Sequence, residues 1–244
     1  MQVACLFAMG VLGGAALGGD AAEADVFPTP NGKTVEIDLL KHASVRIRYD
    51  GLEIQIDPVG RGVAPETDYA AFPKADLILV THEHFDHFDR DAIAALRKEG
   101  TAVFANPAVC RQLAGARTLA NGERVQWRED VSVEAVPAYN TTPGRDKFHP
   151  KGRDNGYVLT LGGLRVYVAG DTEDIPEMAA IRDIDIAFLP CNQPYTMTPA
   201  QLASAAKTIR PKVLFPYHRG GTPAKDIAGR LDGSGIDVRF RGAN

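Results

Sequence analysis

The 244-residue sequence is poor in cysteine, with three residues of that type, and has no strong excess of charge of either sign. Three cysteines cannot build the disulfide framework of a small secreted domain. The 27 Lys and Arg residues against 31 Asp and Glu residues give a net charge of −4, which predicts no nucleic-acid partner. With 45% hydrophobic and 24% charged residues, the composition is that of an ordinary globular domain with a substantial core.

A single long apolar run lies at the beginning of the chain, where residues 3–19 contain no charged side chain. Its length and its Gly and Ala content suit the hydrophobic region of a signal peptide, and Ala22-Glu23-Ala24 offers a cleavage site. We therefore predict a signal peptide over 1–24, one domain over 25–244, export to the periplasm, and no membrane span after cleavage. No Lys or Arg precedes the run, so a cytoplasmic protein remains the alternative. Cys110 and Cys191 could pair after export, which the sequence leaves open.

Short strands separated by turn signals occupy both halves of the remaining chain. Asp50-Gly51 and Gly162-Gly163 have the form of two-residue hairpin turns, and the apolar run 75–80 is typical of a strand buried on both faces. Capping residues, prolines and apolar spacing predict helices from Asp89 to about Gly100, after Pro107, from Thr198 to about Ile209, and from Ala224 to Leu231. Each half has strands first and then alternating helix and strand. This order predicts an α/β protein built as a four-layer α/β/β/α sandwich.

The most informative stretch is Thr81-His82-Glu83-His84-Phe85-Asp86-His87, which follows the apolar run. Alternate residues of an extended segment point the same way, so His82 and His84 can share one metal ion. Asp86 and His87 come after the turn and can reach a second ion. Four potential ligands in six residues are poorly explained as chance surface or core residues. The spacing differs from that of HExxH, which disfavours a zincin-type protease.

This stretch resembles the H-x-H-x-D-H signature of the metallo-β-lactamase superfamily, and the AYN and FHPK segments further along resemble its UlaG-like branch. The resemblance covers nearly all of the chain after residue 24. It implies a four-layer sandwich and three further site residues. Asp57 would support the metal-binding loop, Asp171 would bridge two metal ions, and His218 would bind the second one.

The middle of the chain departs from the family pattern. Asn140 stands near the position where the family has another histidine, and His149 follows nine residues later. We predict that His149 returns as the third ligand of the first metal. The alternative is that His149 is a loop residue and that Asn140 or water completes the coordination. His42 is expected to lie near the floor of the metal pocket as a supporting residue, and a plain structural role is equally open.

Imidazole and carboxylate ligands preserve the Lewis acidity that lowers the pKa of a metal-bound water towards about 7. Two divalent ions about 3.5–4 Å apart can hold a hydroxide that is aimed at a carbonyl or phosphoryl centre. Asp171 would fix the separation of the two ions and Asp86 would orient the nucleophile, so both are expected to be catalytic. Nitrogen and oxygen ligands without thiolate permit zinc, iron or manganese, and zinc is the default expectation.

The substrate is expected to be a small molecule, and basic residues near the site would suit an anionic one. Lys151, Arg219 and Tyr195 are the candidate contacts. The basic residues around His149 in the sequence are Arg145, Lys147, Lys151 and Arg153. The alternative interpretation is a solvated loop in which Asp146 and Asp154 balance these charges.

The leading hypothesis is therefore a metal-dependent hydrolase acting on an ester, lactone, amide or phosphodiester of a small molecule. Two other classes remain open. One is a non-catalytic metal-binding or ligand-binding protein with a degenerate site, which Asn140 keeps in consideration. The other is a di-iron redox protein on the same scaffold, which normally requires a partner domain for which 244 residues leave no room.

Overall fold

The computed structural model describes residues 24–242, so the predicted signal peptide lies almost entirely outside the described residues. Two seven-stranded sheets make up this part of the chain. Neighbouring strands of the first sheet are, in order, β1 (Asp25–Pro28), β2 (Thr34–Lys41), β3 (Ser44–Tyr49), β4 (Leu52–Ile56), β5 (Leu77–Val80), β6 (Ala102–Ala105) and β7 (Arg117–Thr118). Those of the second sheet are β8 (Arg124–Arg128), β9 (Val131–Ala138), β10 (Asp154–Leu161), β11 (Leu164–Val168), β12 (Ile186–Pro190), β13 (Val213–Tyr217) and β14 (Asp237–Val238).

The two sheets have the same topology. In each, the first four strands are antiparallel to their neighbours and the last three continue the sheet in parallel. The described chain therefore consists of two halves of like design, residues 25–118 and 124–238. Parallel strands need crossover connections, and these carry the helices.

Four helices lie in those connections. They are α1 (Arg90–Leu96), α2 (Pro107–Cys110), α3 (Pro199–Ile209) and α4 (Ala224–Leu231), and 3₁₀ turns lie at Tyr69–Ala71 and Pro176–Ala180. Asp89 caps α1 by accepting hydrogen bonds from the backbone N–H groups of Asp91 and Ala92. At α3, the Thr198 side chain and the Gln201 side chain form the predicted capping box.

Three apolar layers hold the elements together. The largest lies between the sheets and takes alternate residues of the antiparallel strands, such as Val35, Ile37 and Val133. The second packs the outer face of the second sheet against α3 and α4, and the third packs the outer face of the first sheet against α1 and α2. This arrangement confirms the predicted α/β/β/α sandwich.

The local predictions hold with several differences of extent. Both hairpin turns form, with positive φ angles at Asp50 and Gly51 and at Gly162 and Gly163. Helix α1 ends at Leu96, four residues before Gly100, because the Leu96 carbonyl accepts a hydrogen bond from the backbone N–H of Ala75 at the entry to β5. Strands β1, β7 and β8 were not predicted. They are short edge strands with exposed residues, for which apolar alternation is a weak signal.

Cys110 and Cys191, the two cysteines of the described residues, do not pair with each other. Cys191 is buried in the layer outside the second sheet, Cys110 packs in the layer outside the first sheet, and both are free thiols. Across residues 24–242, no helix has the length and apolar character needed to cross a membrane.

Candidate metal centre

Eight histidine and aspartate side chains meet at one end of the two packed sheets. His82 follows β5 by two residues, Asp171 follows β11 by three, and His218 follows β13 directly. The carboxyl ends of parallel strands lie at one edge of a sheet, where loops are free to carry functional groups. A backbone hydrogen bond from Asn155 to the carbonyl of Thr81, 3.1 Å long, joins the two sheets at this edge.

The side chains form three overlapping groups in which one ligand atom of each member lies within 4.8 Å of the others. The first group is His82, His84 and His149; the second group is His42, Asp86, His87 and His218; and the bridging group is His82, His87 and Asp171. The structure thus brings together all seven residues predicted as metal ligands, and His42 in addition.

His149 lies with His82 and His84 in the first group. Its ring centroid is 5.0 Å from that of His82 and 4.9 Å from that of His84. The loop returns to the site because the backbone N–H of Asn140 donates a hydrogen bond of 2.8 Å to the His149 carbonyl. The Asn140 side chain donates to the Tyr195 carbonyl at 2.7 Å and so holds the loop to the segment between β12 and α3.

The second group centres on Asp86. Its Oδ2 atom lies 3.2 Å from His42 Nε2 and 3.5 Å from His218 Nε2. His42 and His218 both have positive φ angles, 42° and 44°, a backbone conformation that costs free energy for residues other than glycine. The backbone N–H of His218 donates to the His42 carbonyl at 2.9 Å, which holds the two loops in register.

Asp171 lies between the two groups. One carboxylate oxygen is 3.4 Å from His149 Nε2 and 3.3 Å from His218 Nε2, and the other is 3.3 Å from His87 Nε2. The preceding Gly170 has a φ of +66°, and a Cβ atom there would lie 2.6 Å from the Asn155 carbonyl oxygen. A glycine is therefore required for the turn that aims Asp171 at the histidines.

Asp57 lies behind the first sheet's ligand loop and orients it. Its carboxylate accepts hydrogen bonds from the Thr81 backbone N–H at 2.7 Å and from the Thr81 hydroxyl at 2.6 Å. It also lies 2.7 Å from His87 Nδ1, which leaves His87 Nε2 to face the site. A carboxylate on the remote ring nitrogen fixes the orientation of a metal-binding imidazole and raises its basicity.

Four atoms that face each other in the cluster are buried and lack a hydrogen bond of good geometry. They are His82 Nε2, His87 Nε2, His218 Nε2 and Asp171 Oδ1. Buried polar atoms normally form hydrogen bonds, and buried atoms without one indicate an additional partner such as an ion. Convergent imidazole nitrogens and a carboxylate form a donor set that suits a divalent transition metal. The residues therefore fit a metal centre.

The buried charges of the cluster shift one another's pKa values in different directions. Burial, reinforced by the neighbouring histidines, lowers the pKa of His82 well below its ordinary value, which favours the neutral imidazole that binds metal. Burial alone would lower the pKa of His218, but the Asp171 and Asp86 carboxylates outweigh it and raise that pKa to about 9. Burial would likewise raise the pKa of Asp171, yet His218 and His87 hold it well below its usual range.

Asp154 is a functional residue that the sequence interpretation missed. The solvated-loop alternative placed it in solvent, but it is fully buried at the start of β10. Its Oδ2 atom lies 2.9 Å from His149 Nδ1, and Arg153 donates to both of its oxygens at 2.6 and 2.9 Å. Arg153 and Asp154 thus orient His149 as Asp57 orients His87. The sequence shows only a carboxylate five residues after a candidate histidine, and its burial comes from the pairing of β10 with β9.

The predicted substrate contacts lie in different surroundings. Lys151 is exposed and pairs with Glu177 at 2.8 Å, while its ammonium lies 4.8 Å from the centre of the Tyr139 ring. Arg219 is 9% exposed, and its guanidinium lies 5.2 Å from the centre of the Phe240 ring. Tyr195 is 45% exposed and contacts Phe148 edge-on, with ring centroids 5.0 Å apart.

Comparison with known proteins places these residues in a family context. A family model described as the beta-lactamase superfamily domain matches residues 36–218, a range that begins before His42 and ends on His218. A UPF0173 metal-dependent hydrolase from Thermus thermophilus is 33% identical over 211 residues, which cover 85% of this chain and 92% of the relative.

Two solved structures show the same architecture. A protein from Parabacteroides distasonis, described as a metal-dependent hydrolase, is 52% identical with a TM-score of 0.87, over 91% of this chain and 99% of that one. Igni18, a metallo hydrolase from Ignicoccus hospitalis, is 25% identical with a TM-score of 0.71, over 85% of this chain and 95% of that one.

Proposed function

The chain belongs to the metallo-β-lactamase superfamily, and from that premise we propose that it is a hydrolase with two divalent metal ions that cleaves an ester, lactone, amide or phosphodiester of a small molecule. The observation that supports this most directly is the position of Asp171, whose carboxylate contacts His149 of the first group and both His87 and His218 of the second. A carboxylate between two clusters of imidazoles suits two adjacent ions better than one.

When bound, the metal ions would supply a water of lowered pKa and Lewis acidity towards a carbonyl or phosphoryl oxygen. The protein's own residues prepare the geometry. Asp57 and Asp154 accept hydrogen bonds from the remote nitrogens of His87 and His149, so that both rings present Nε2 to the centre. These buried carboxylates hold the imidazoles before a substrate arrives, which avoids reorganisation during the reaction.

Asp86 is the carboxylate best placed to handle the attacking water. Its side chain is 20% exposed, against 3% for Asp171, so it borders both the cluster and the solvent side. His42 and His218 lie near its Oδ2 atom. A water that donates a hydrogen bond to Asp86 would be held with a lone pair free for attack.

The remaining features favour an enzyme over a degenerate binding site. Asn140 motivated the binding-protein alternative, but its backbone and side chain hold the 140–149 loop in place. His149 lies in the first group, where it would provide the imidazole ligand that Asn140 lacks. The donor set contains nitrogen and oxygen and no thiolate, which permits zinc, iron or manganese. We propose zinc as the resident metal. Export through the predicted signal peptide is likewise a proposal, and amino-terminal sequencing of the protein from a periplasmic fraction tests it.

The experiment combines metal analysis with a substrate panel. The purified protein is loaded with Zn²⁺, its metal content is measured by mass spectrometry, and it is assayed on simple lactones, esters, amides and phosphodiesters. We expect about two metal ions per chain and turnover of at least one class. His84→Ala should abolish turnover and lower the metal content, whereas Asp237→Asn, an exposed carboxylate on β14, serves as the matched control and should change neither. Full activity in His84→Ala would contradict the proposal.

A further inference from the structure

Large exposed hydrophobic side chains are rare in the described part of the chain, and two of the three lie on the loops of the metal centre. Phe85 is 73% exposed and Tyr195 is 45% exposed, whereas the third, Val26, is 58% exposed on the edge strand β1. Phe85 stands between His84 of the first group and Asp86 of the second. Neither aromatic residue is in the apolar layers that build the fold. Exposed apolar groups gathered at one site commonly mark a surface that binds a ligand.

Tyr195 is tied to the first group through Phe148. The two rings meet edge to face at 70°, and Phe148 immediately precedes His149. The Tyr195 carbonyl accepts the hydrogen bond from the Asn140 side chain, so the same loop contact holds both Tyr195 and the segment that carries His149. Tyr195 and Phe148 therefore form an aromatic pair at the edge of the metal centre.

Phe85 belongs to the same edge because Arg153 joins the two loops. The Arg153 Nη2 atom donates to the Phe148 carbonyl at 2.8 Å and lies 3.4 Å from His84 Nε2. Phe85 directly follows His84, and Phe148 directly precedes His149, so each of the two loops carries an aromatic residue next to a histidine of the first group. The His84 and His149 rings lie 4.9 Å apart, so these two loop segments meet at the first group.

The basic residues of this region are engaged with other partners. Lys151 pairs with Glu177, Arg145 lies 3.5 Å from the buried Glu173, and the Lys147 ammonium lies 5.1 Å from the centre of the Phe148 ring. Arg153 is paired with Asp154. An anionic substrate would compete with these pairings, while an apolar group can contact the exposed Phe85 and Tyr195 rings without displacing a cation.

Resting on the proposed hydrolase function, we infer that the substrate is an ester or lactone with an aryl or similarly bulky apolar substituent, which packs against Phe85 and the Phe148–Tyr195 pair. Water adds to the carbonyl carbon, the bond from that carbon to the ester oxygen breaks, and the departing oxygen takes a proton. The products are one carboxylic acid and one alcohol, joined in a single molecule when the substrate is a lactone. The aromatic pair and Phe85 select the substituent and take no part in these bond changes.

Three lactones that differ in one substituent test this. They are γ-butyrolactone, its γ-phenyl derivative and its γ-carboxylate derivative, each hydrolysed by the Zn²⁺-loaded protein and followed by acid release. We expect kcat/KM for the phenyl derivative to exceed that of the other two at least about tenfold. Phe85→Ala and Tyr195→Ala should each reduce the phenyl-to-parent ratio about fivefold to tenfold without loss of metal. Val26→Ala, the matched exposed residue away from the site, should leave the ratio unchanged. Equal rates, or preference for the carboxylate, would overturn the inference.

A binding measurement separates this inference from the proposed function. If the wild-type protein hydrolyses none of the lactones, the proposed function fails on these substrates, and calorimetric titration with the open-chain products decides the inference. Tighter binding of 4-hydroxy-4-phenylbutyrate than of 4-hydroxybutyrate, reduced by Phe85→Ala and unaffected by Val26→Ala, would support an aromatic subsite. Equal binding of the two acids would overturn it.

Discussion

His42 Nε2 lies 3.2 Å from Asp86 Oδ2, and the His42 ring packs against that of His218 with centroids 3.7 Å apart. His42 comes from the β2–β3 turn, whereas Asp86 comes from the loop after β5 and His218 from the end of β13. The positive φ angle at His42 is maintained against its conformational cost. His42 therefore holds Asp86 and His218 in the arrangement that the second group needs, as a ligand or as a direct neighbour of one.

Replacing His42 should weaken one metal site selectively. His42→Asn keeps a residue that tolerates the left-handed backbone and removes the imidazole. We expect the affinity for one of the two Zn²⁺ equivalents to fall about 10-fold to 100-fold, with the other unchanged within about twofold. Titration against a chromophoric chelator measures both constants. Equal weakening of both sites, or of neither, would show that His42 has no specific part in the second group.

Asp154→Asn should weaken the other site. The substitution keeps the shape of the side chain but removes the charge that orients His149 and pairs with Arg153. We expect about a 10-fold to 100-fold loss in affinity for the first metal and a parallel loss in kcat. Asp146→Asn is the control, because Asp146 is an exposed acid of the same loop, and its side chain accepts a hydrogen bond of 3.1 Å from the backbone N–H of Gly144. Similar effects of the two variants would mean that Asp154 does not act through His149.

Removal of metal should destabilise the fold. The orphaned imidazole nitrogens and the Asp171 oxygen are buried together, so the metal-free state leaves unsatisfied polar atoms in the interior. At free metal 100 times above its dissociation constant, the bound ion stabilises the folded state by about 2.7 kcal/mol. For a domain of this size, we expect chelation to lower Tm by about 5–10 °C. Scanning calorimetry with and without excess chelator measures this, and an unchanged Tm in protein shown to be metal-free would count against a buried metal centre.

Asp89→Ala should destabilise the protein by about 1–2 kcal/mol at neutral pH, because Asp89 caps α1 and accepts a further hydrogen bond from Gly60. Burial would raise the Asp89 pKa, but the backbone N–H donors from Gly60, Ala92 and their neighbours lower it below the ordinary value. A carboxylate whose pKa is depressed on folding contributes stability above its unfolded pKa of about 3.9 and loses it as the pH falls through the folded pKa.

The difference between wild type and Asp89→Ala should therefore be full at pH 7 and should shrink below about pH 4. Urea unfolding of the metal-free proteins at several pH values measures it, with Asp91→Ala, an exposed acid in the first turn of the same helix, as the control. A difference that stays constant down to pH 3 would exclude the charge of Asp89 as its source.

Much of the fold followed from local chemistry that acts over a few residues. The Asp50-Gly51 turn and the Thr198 capping box formed as predicted because their determinants are short-range. The four candidate ligands of the 82–87 motif likewise meet at one site because they are close in the sequence, although residues 83–87 form bends and a turn and not the expected extended segment. The edge strand β8 escaped prediction because its stability depends on pairing with β9, which composition does not reveal.

The parts of the site that could not be predicted are those that depend on long-range contacts. From the sequence alone, Asp154 has the features of an ordinary exposed loop residue. It is buried against His149 because β10 pairs with β9. The place of His42 beside Asp86 depends on a backbone hydrogen bond to His218, 176 positions further along the chain. Such contacts are set by how the two sheets pack, and residue spacing carries little information about that.

Because the ligands come from two halves of like topology, tight metal binding requires both halves to be folded and docked. Each of the three ligand groups takes members from both halves: His149, Asp171 and His218 come from residues 124–238, and their partners come from residues 25–118. If one half is folded but the two halves have not docked, each group of ligands is incomplete. Tight metal uptake thus reports on the finished molecule, and a nascent or damaged chain would remain unloaded and inactive until its two halves meet.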